Sequence, residues 1–184
     1  VAALLSYAEF TQGGNGPLEY VSQITRYDPD TALELDAAAL RSLEIFEPRA
    51  ETGKTLLETV DRNKSPLGRR RLEAWLRRPE IDDERIAARH EAVEELCRHP
   101  LLREQLRDIL DHVYDLERLI TRIVRERASA RDLRSLQQTL ATAPELRRYL
   151  SEFESERLQS LRRSLESVED ICELIDAAIV EDPP

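Results

Sequence analysis

The prolines after residue 65 constrain the fold more than any other feature of the sequence. Proline has no backbone N–H and disfavours helix at the residue before it, so it lies at a helix start or beyond a helix end. Ser65-Pro66 is an N-cap followed by proline at the first helical position, and it predicts a helix that runs through Trp75 to Pro79. Pro100 and Pro144 mark further boundaries. The chain is therefore expected to pack several helices of moderate length.

Apolar residues at steps of three and four fill the segments between these prolines, as expected for helices with one buried face. Asp82 is expected to cap the helix that follows it. Trp75 is expected to be largely buried between that helix and the helix after Pro66. The predicted helices are marked by Ile86, Val93 and Leu96; by Leu102, Leu106, Ile109 and Leu110; by Leu116, Leu119, Ile120 and Ile123; and by Leu133, Leu136 and Leu140.

A last long helix is predicted over residues 145–180, interrupted, if at all, near Phe153. Its apolar residues follow heptad spacing, which is typical of a seam for a partner helix. One helix of an ordinary bundle explains the spacing as well as a coiled coil does. The seam residues are Leu158, Leu161, Leu165, Val168, Cys172, Ile175 and Ile179.

The first 61 residues have a more mixed pattern, in which glycine-rich turns and alternating stretches precede short helices. The fold class is therefore predicted as mainly α: a helical bundle with a short, mixed, strand-containing N-terminal segment. The predicted elements are a helix end over 1–10, a loop over 11–17, strand candidates over 20–30 and 31–36, a short helix over 37–43 capped by Asp36, and a short helix over 54–61.

Gly53-Lys54-Thr55 matches the last three residues of a phosphate-binding P-loop. The pattern requires a glycine where this chain has Pro48, which lacks an N–H donor and the flexibility that a phosphate nest needs. No strands of a parallel sheet are predicted around it. We therefore interpret the segment as a helix start after a glycine loop, and we expect the chain neither to bind nor to hydrolyse ATP.

No catalytic, cofactor-binding, nucleic-acid-binding or metal-binding residues are predicted in this chain. Cys97 and Cys172 lie far apart in sequence and are interpreted as core cysteines. Cys97 and His99 lack a second ligand pair for a tetrahedral metal site. His90 and His112 are interpreted as surface or packing residues.

The net charge of −10 predicts a surface that repels nucleic acid. Lys54 and Lys64 are the only lysines among 27 basic residues. An acid-rich, lysine-poor composition suits a protein kept soluble in high salt, but a GC-rich genome explains the arginine excess equally well. No apolar run approaches the length of a membrane span, so a cytoplasmic protein without membrane contact is expected.

Three blocks of the chain resemble the core domain of the MutS family of DNA mismatch-recognition proteins. The longest, TLLETVDRNKSPLGRRRLEAWLRRPEIDDERIAARHEAVEEL over residues 55–96, resembles the family's longest core signature. LELDAAALRSLEIF (33–46) and DLERLITRIVRERASARDLRSLQQTL (115–140) resemble two further core segments. VAALLSYAEFTQ (1–12) resembles the end of the preceding connector domain, and AAIVEDPP (177–184) resembles the stretch before the lever helices. The chain departs from the family pattern at Ser42, Asn63-Lys64 and Leu67, and these differences affect packing and turn chemistry only.

The resemblance implies a domain boundary near residue 24, with the connector's end and a linker over 1–24 and the first part of the helical core, domain III, over 25–184. It implies a chain that is not itself an enzyme and that relays conformational change between ATPase and DNA-binding parts. In the intact family protein, ATP, Mg²⁺ and mismatched double-stranded DNA are bound by other parts, and the protein is a homodimer. Other domains of the same polypeptide are then the direct partners.

Two alternatives stay open at this point. One is the core of a MutS paralogue that acts in recombination, although the connector-like stretch 1–12 speaks against branches that lack a connector. The other is a stand-alone helical adaptor that binds a partner helix along the 158–179 seam. Arg69, Arg70 and Arg71 are interpreted as a solvated face or as contacts with neighbouring domains rather than as a phosphate site.

Overall fold

The computed structural model describes residues 2–11 and 32–183, and the regular structure within them is helical. No strand forms in the described residues, where Ala32 and Glu80 make a single antiparallel bridge. The mainly α fold class is confirmed. The helices are α1 (Ala2–Thr11), α2 (Ala37–Ser42), α3 (Leu56–Val60), α4 (Pro66–Arg77), α5 (Asp83–Arg98), α6 (Pro100–Asp111), α7 (Leu116–Val124), α8 (Ala130–Leu140), α9 (Ala143–Leu150), α10 (Glu156–Ser164) and α11 (Glu169–Ala178).

The predictions for the N-terminal segment have different outcomes. The helix predicted over 1–10 corresponds to α1. The strand predicted over 31–36 is wrong. Ala32 forms an antiparallel bridge with Glu80, and the Leu33 N–H donates to the Pro79 carbonyl, but the two segments pair no further. Pro79 has no N–H with which to continue a ladder. The glycine-rich loop from residue 12, the strand candidate at 20–30 and the boundary near residue 24 lie outside the described residues.

Side-chain caps start the helices where the sequence predicts them. Asp36, Ser65 and Asp82 each accept a hydrogen bond from the backbone N–H three residues on, and each such cap is worth ~1 kcal/mol. Gly68 lies in the first turn of α4, where an added β-carbon would come within 2.7 Å of the Asn63 side-chain oxygen. Glycine at this position therefore permits the close approach of the loop before α4.

The long helix predicted over 145–180 is wrong, because the chain breaks twice and forms α9, α10 and α11. The first break includes Phe153, as predicted, whereas the second, between Leu165 and Val168, was not predicted. A single helix of that length would extend ~54 Å, well beyond the neighbours that α10 and α11 use. The breaks allow α10 to pack on α5 and α9 while α11 packs on α8.

Two separate hydrophobic clusters hold the helices together. The first cluster, from α5, α6, α9, α10 and the loop between the last two, contains Ala92, Leu106, Leu150, Phe153 and Leu158. The second cluster, from α7, α8 and α11, contains Leu119, Leu136 and Ile175. The predicted heptad seam is thus divided, since Leu158 and Leu165 contribute to the first cluster and Ile175 and Ile179 to the second.

Several residues predicted to face the core are exposed. Val93 and Ile120 lie on the solvent side of their helices, and Ala92 takes the buried position of α5 instead. Trp75 is 40% exposed, so its predicted burial is wrong. Its ring contacts arginine side chains of both α4 and α5, those of Arg71 and Arg89.

Candidate functional site: a polar junction between two hydrophobic clusters

Gly53-Lys54-Thr55 forms the start of α3 and not a phosphate nest. The buried Thr55 is the N-cap: its hydroxyl accepts from the Glu58 N–H at 3.1 Å, and the Glu58 carboxylate accepts from the Thr55 N–H at 3.0 Å. This capping box places a carboxylate at the helix N-terminus, where a phosphate would otherwise be bound. The Gly53 N–H turns back to the Ala50 carbonyl. These contacts support the helix-start interpretation.

The three consecutive arginines of α4 each contact groups of this same chain. Arg69 pairs with Asp61 at 2.8 Å and with Glu73 at 3.3 Å. Two hydrogen bonds from Asn63, together with Arg69, hold the pKa of Asp61 below its ordinary value. Arg71 lies over the ring of Trp75 at 5.8 Å.

Arg70 links α4 to the start of α7. Its guanidinium donates to both carboxylate oxygens of Asp115, one of them at 2.9 Å, and to the Glu117 carboxylate at 2.8 Å. Asp115 is also the N-cap of α7, where it accepts from the Arg118 N–H at 3.1 Å. The hydrogen bond from Arg70 is the main reason that the pKa of Asp115 lies below its usual value. We call Arg70, Asp115 and Glu117 the polar junction.

The α3–α4 unit also contacts the helices of the first cluster. Lys64 pairs with Asp111 at 3.7 Å, and Arg107 of α6 donates to the Arg62 carbonyl at 3.1 Å. Arg89 of α5 lies 4.6 Å from the centroid of the Trp75 ring, on which it makes a cation–π contact. The unit therefore bridges the two clusters through polar and cation–π contacts.

An apolar groove of about 470 Å³ lies between α6 and α10. Leu96, Leu146 and Leu150 contribute to its lining along with side chains of both flanking helices. Leu161, on the α10 wall, is 44% exposed. Arg103 and Arg107 of α6 also line it, so the groove is apolar inside and basic on one side.

The cysteines and histidines form no site in the part of the chain that is described. Cys97 is exposed, so its interpretation as a core residue is wrong. Cys172 is half-buried, which is closer to the predicted core position. Burial and nearby carboxylates raise the pKa of the Cys172 thiol, which keeps it protonated and unreactive. Across residues 2–11 and 32–183 no three His, Cys, Asp or Glu side chains gather in a way that could hold a metal ion.

Comparison with known proteins identifies the family. The family model described as MutS domain III matches residues 38–184. The chain belongs to the MutS family. The match covers the polar junction, both hydrophobic clusters and the groove, so these features are parts of domain III. The domain boundary near residue 24 precedes the match and stays a prediction.

Curated relatives match the sequence of this chain over nearly its whole length. A "DNA mismatch repair protein MutS" of Haloquadratum walsbyi is 52% identical over all of this chain and 20% of its own length. Proteins with the same name are 50% identical in Natronomonas pharaonis and 40% identical in Thermus aquaticus, over 99% of this chain and 22% and 21% of their own lengths. The chain thus spans about a fifth of the length of these relatives.

Two further observations bear on the sequence predictions. The similarity to proteins of halophiles fits the interpretation that the acid-rich, lysine-poor composition suits high salt. None of the helices formed by residues 2–11 and 32–183 has the length and apolar character that crossing a lipid bilayer requires.

Proposed function

We propose that this chain acts as domain III of a DNA mismatch-recognition protein, relaying conformational change between the ATPase and DNA-binding parts of a longer polypeptide. The relatives are about five times as long and carry names of mismatch repair proteins, which supports this setting. The cytoplasm is the compartment we expect. The proposal treats the domain as a mechanical element and assigns no catalytic residue to it.

The polar junction is the observation that carries the proposal. A relay needs rigid parts that move against one another and a contact between them with discrete arrangements. Each hydrophobic cluster can serve as one such part, and Arg70 joins the α3–α4 unit to the second cluster through hydrogen-bonded charged groups. Charged contacts of this kind can exchange partners without exposing a core, so the junction suits a movable contact.

ATP, Mg²⁺ and mismatched DNA are bound in this proposal by other parts of a homodimeric protein. The capping box of Thr55 and Glu58 does not fit a nucleotide phosphate, because a carboxylate already accepts the N–H group of Thr55. No step of ATP hydrolysis is therefore assigned to these residues. Neighbouring domains of the same polypeptide are the direct partners of the domain.

A role in recombination, as in some paralogues, is the second candidate, and the names of the relatives favour repair over it. The stand-alone adaptor is the third. It loses support because the 158–179 seam is divided between α10 and α11, which pack on different helices. A full-length protein that binds mismatched DNA no better than matched DNA would favour the recombination candidate.

The test uses Arg70→Met in the full-length polypeptide, with Arg85→Met as a matched control. Arg85 is exposed, and its ion pairs, to Glu80 and Asp82, stay at the start of α5. Three quantities are measured: affinity for mismatched DNA without nucleotide, ATP hydrolysis without DNA, and the rate at which ATP releases the protein from its mismatch.

Loss of the polar junction should slow the ATP-driven release about tenfold, which corresponds to a coupling free energy of ~1–2 kcal/mol. The affinity for mismatched DNA without nucleotide and the ATP hydrolysis without DNA should stay close to those of the control. Arg70→Lys should give an intermediate rate, because lysine keeps the charge without the bidentate fork. A folded Arg70→Met protein that is released as fast as the control would rule out the junction as the coupling contact.

A further inference from the structure

The segment after α11 is held by arginines of a neighbouring helix. Arg134 of α8 donates from Nε to the Val180 carbonyl at 2.8 Å and from a terminal nitrogen to the Ile179 carbonyl, and its other terminal nitrogen pairs with Asp176. One turn earlier in α8, Arg131 donates from Nε to the Pro183 carbonyl at 3.1 Å. The two side chains thus bind the chain at four positions between residues 176 and 183.

The end of α11 needs these contacts. Its last turn has no basic residue of its own and carries Asp176, which is unfavourable beside the partial negative charge of a helix C-terminus. The carbonyls at a helix end also lack intrahelical partners. Arg134 supplies both the missing positive charge and the missing donors, from another helix.

The environment of Arg134 makes the contact specific. Its side chain is only 13% exposed, and all three guanidinium nitrogens are engaged. Gln137, on the next turn of α8, donates to the second Asp176 oxygen at 3.3 Å. Pro183 is buried although the residues before it are exposed. A planar, five-donor group suits this set of acceptors, and a lysine could satisfy only part of it.

We propose that Arg131 and Arg134 form an arginine latch that fixes the direction in which the chain leaves α11 and through which the relay acts on the parts that follow. Both are positioning residues. The inference rests on the proposed function, because that function places the domain inside a longer polypeptide. The second cluster holds α11 through Ile175 and Ile179, whereas Val180 and Pro183 are bound by the latch arginines, so residues 180–183 can be released without unfolding α11.

Hydrogen exchange of the full-length protein without nucleotide tests the latch itself. In Arg134→Met, the amides of residues 177–179, the last hydrogen-bonded N–H groups of α11, should exchange about tenfold faster, because loss of the Arg134 contacts lets the end of the helix open. The amides of α7 should be unaffected, and Arg134→Lys should be intermediate. Arg148→Met is the control, since Arg148 is exposed and its nearest carboxylate is Glu145 of the same helix, at 3.8 Å. Unchanged exchange at 177–179 would overturn the latch.

If Arg134→Met also loosens α7, the exposed Arg131 provides the second variant. Arg131→Met should speed limited proteolysis between residues 179 and 183 severalfold and leave exchange in α7 unchanged, and unchanged proteolysis would equally overturn the latch. A nucleotide experiment then separates the two proposals. Adding ATP to the wild type should change exchange at residues 177–179, and ATP should have no such effect in Arg134→Met. A wild type without any ATP effect at 177–179 or at the polar junction would refute the proposed relay and, with it, the latch's part in coupling.

Discussion

The carboxylate of Glu95, on α5, accepts a hydrogen bond from the backbone N–H of Ser155 at 2.9 Å. A second bond comes from the N–H of Glu154. Ser155 is the N-cap of α10, but its own side chain makes no capping bond to the helix. The start of α10 is therefore capped by a side chain of another helix, sixty residues earlier in the chain.

Glu95→Gln should destabilise the domain by about 1–2 kcal/mol, since it replaces a charged acceptor for two backbone donors with a neutral one. Burial disfavours the Glu95 carboxylate, but the hydrogen bonds from Glu154 and Ser155 outweigh this effect and lower its pKa. A lowered pKa contributes stability above the ordinary value of 4.5, and that stability is lost as pH falls through the folded-state pKa.

Urea unfolding across the acid range measures this effect, with Glu94→Gln as the matched control. Glu94 is exposed and pairs with Arg98 on the same helix, so its loss should cost little. The difference between Glu95→Gln and the wild type should shrink below pH 4.5. A difference that stays constant across the range would mean that the charge of Glu95 contributes nothing to the cap.

This cap shows which parts of the fold were readable from the sequence. Caps at Asp36, Ser65 and Asp82 were predicted because donor and acceptor lie three residues apart, and local spacing is visible in a sequence. The Glu95 cap joins groups about sixty residues apart, so its partner depends on how α5 and α10 pack. Without it, the start of α10 carries no strong local signal, and the sequence indicates this point only as an interruption near Phe153 in one long helix.

Trp75→Ala should cost about 1–2 kcal/mol rather than the ~3–5 kcal/mol typical of a buried aromatic residue. The Trp75 ring is partly exposed and contacts the guanidinium groups of Arg71 and Arg89, which lie at 5.8 and 4.6 Å. Urea unfolding followed by far-UV circular dichroism gives the free energy. In the native wild type, acrylamide should readily quench Trp75 fluorescence; strong protection from quenching would show that the ring is buried after all.

Phe153→Ala should be among the most destabilising substitutions, at about 3–5 kcal/mol. Phe153 is 2% exposed at the first break, packs in the first cluster and meets the ring of His99 edge-on at 5.9 Å. Phe10→Ala is the control, because Phe10 projects into solvent. Equal denaturation midpoints for the two variants would exclude Phe153 as an anchor of the first cluster.

The candidate site was only partly predictable. The blocks that contain Arg70 and Asp115 were both singled out from the sequence, but nothing in either block shows that the two residues meet. Arg69, Arg70 and Arg71 are chemically identical in sequence, and only packing distinguishes the one that reaches α7. Val93 illustrates the same limit, because α5 turns Ala92 rather than Val93 toward the core.

The melting temperature of the domain should rise steeply with molar KCl. The chain carries 37 carboxylates against 27 lysine and arginine side chains, and salt screens the resulting repulsion. Many of its ion pairs are exposed and contribute little, so their weakening by salt should not cancel this gain. Thermal melts at low and multimolar KCl measure the effect. A melting temperature indifferent to salt would leave genome composition as the explanation of the arginine excess.

The isolated 184-residue chain should form a weak dimer through the α6–α10 groove. Burying one leucine side chain contributes about 1.5–3 kcal/mol, so the exposed wall around Leu161 favours association. The net charge of −10 opposes it, and the dimer should therefore tighten as KCl is raised. Sedimentation at several protein concentrations gives the dissociation constant. Leu161→Glu should abolish the dimer, whereas Leu174→Glu, on the exposed face of α11 outside the groove, should not. A chain that stays monomeric in high KCl at every concentration, or a dimer lost equally in both variants, would show that the groove does not drive association.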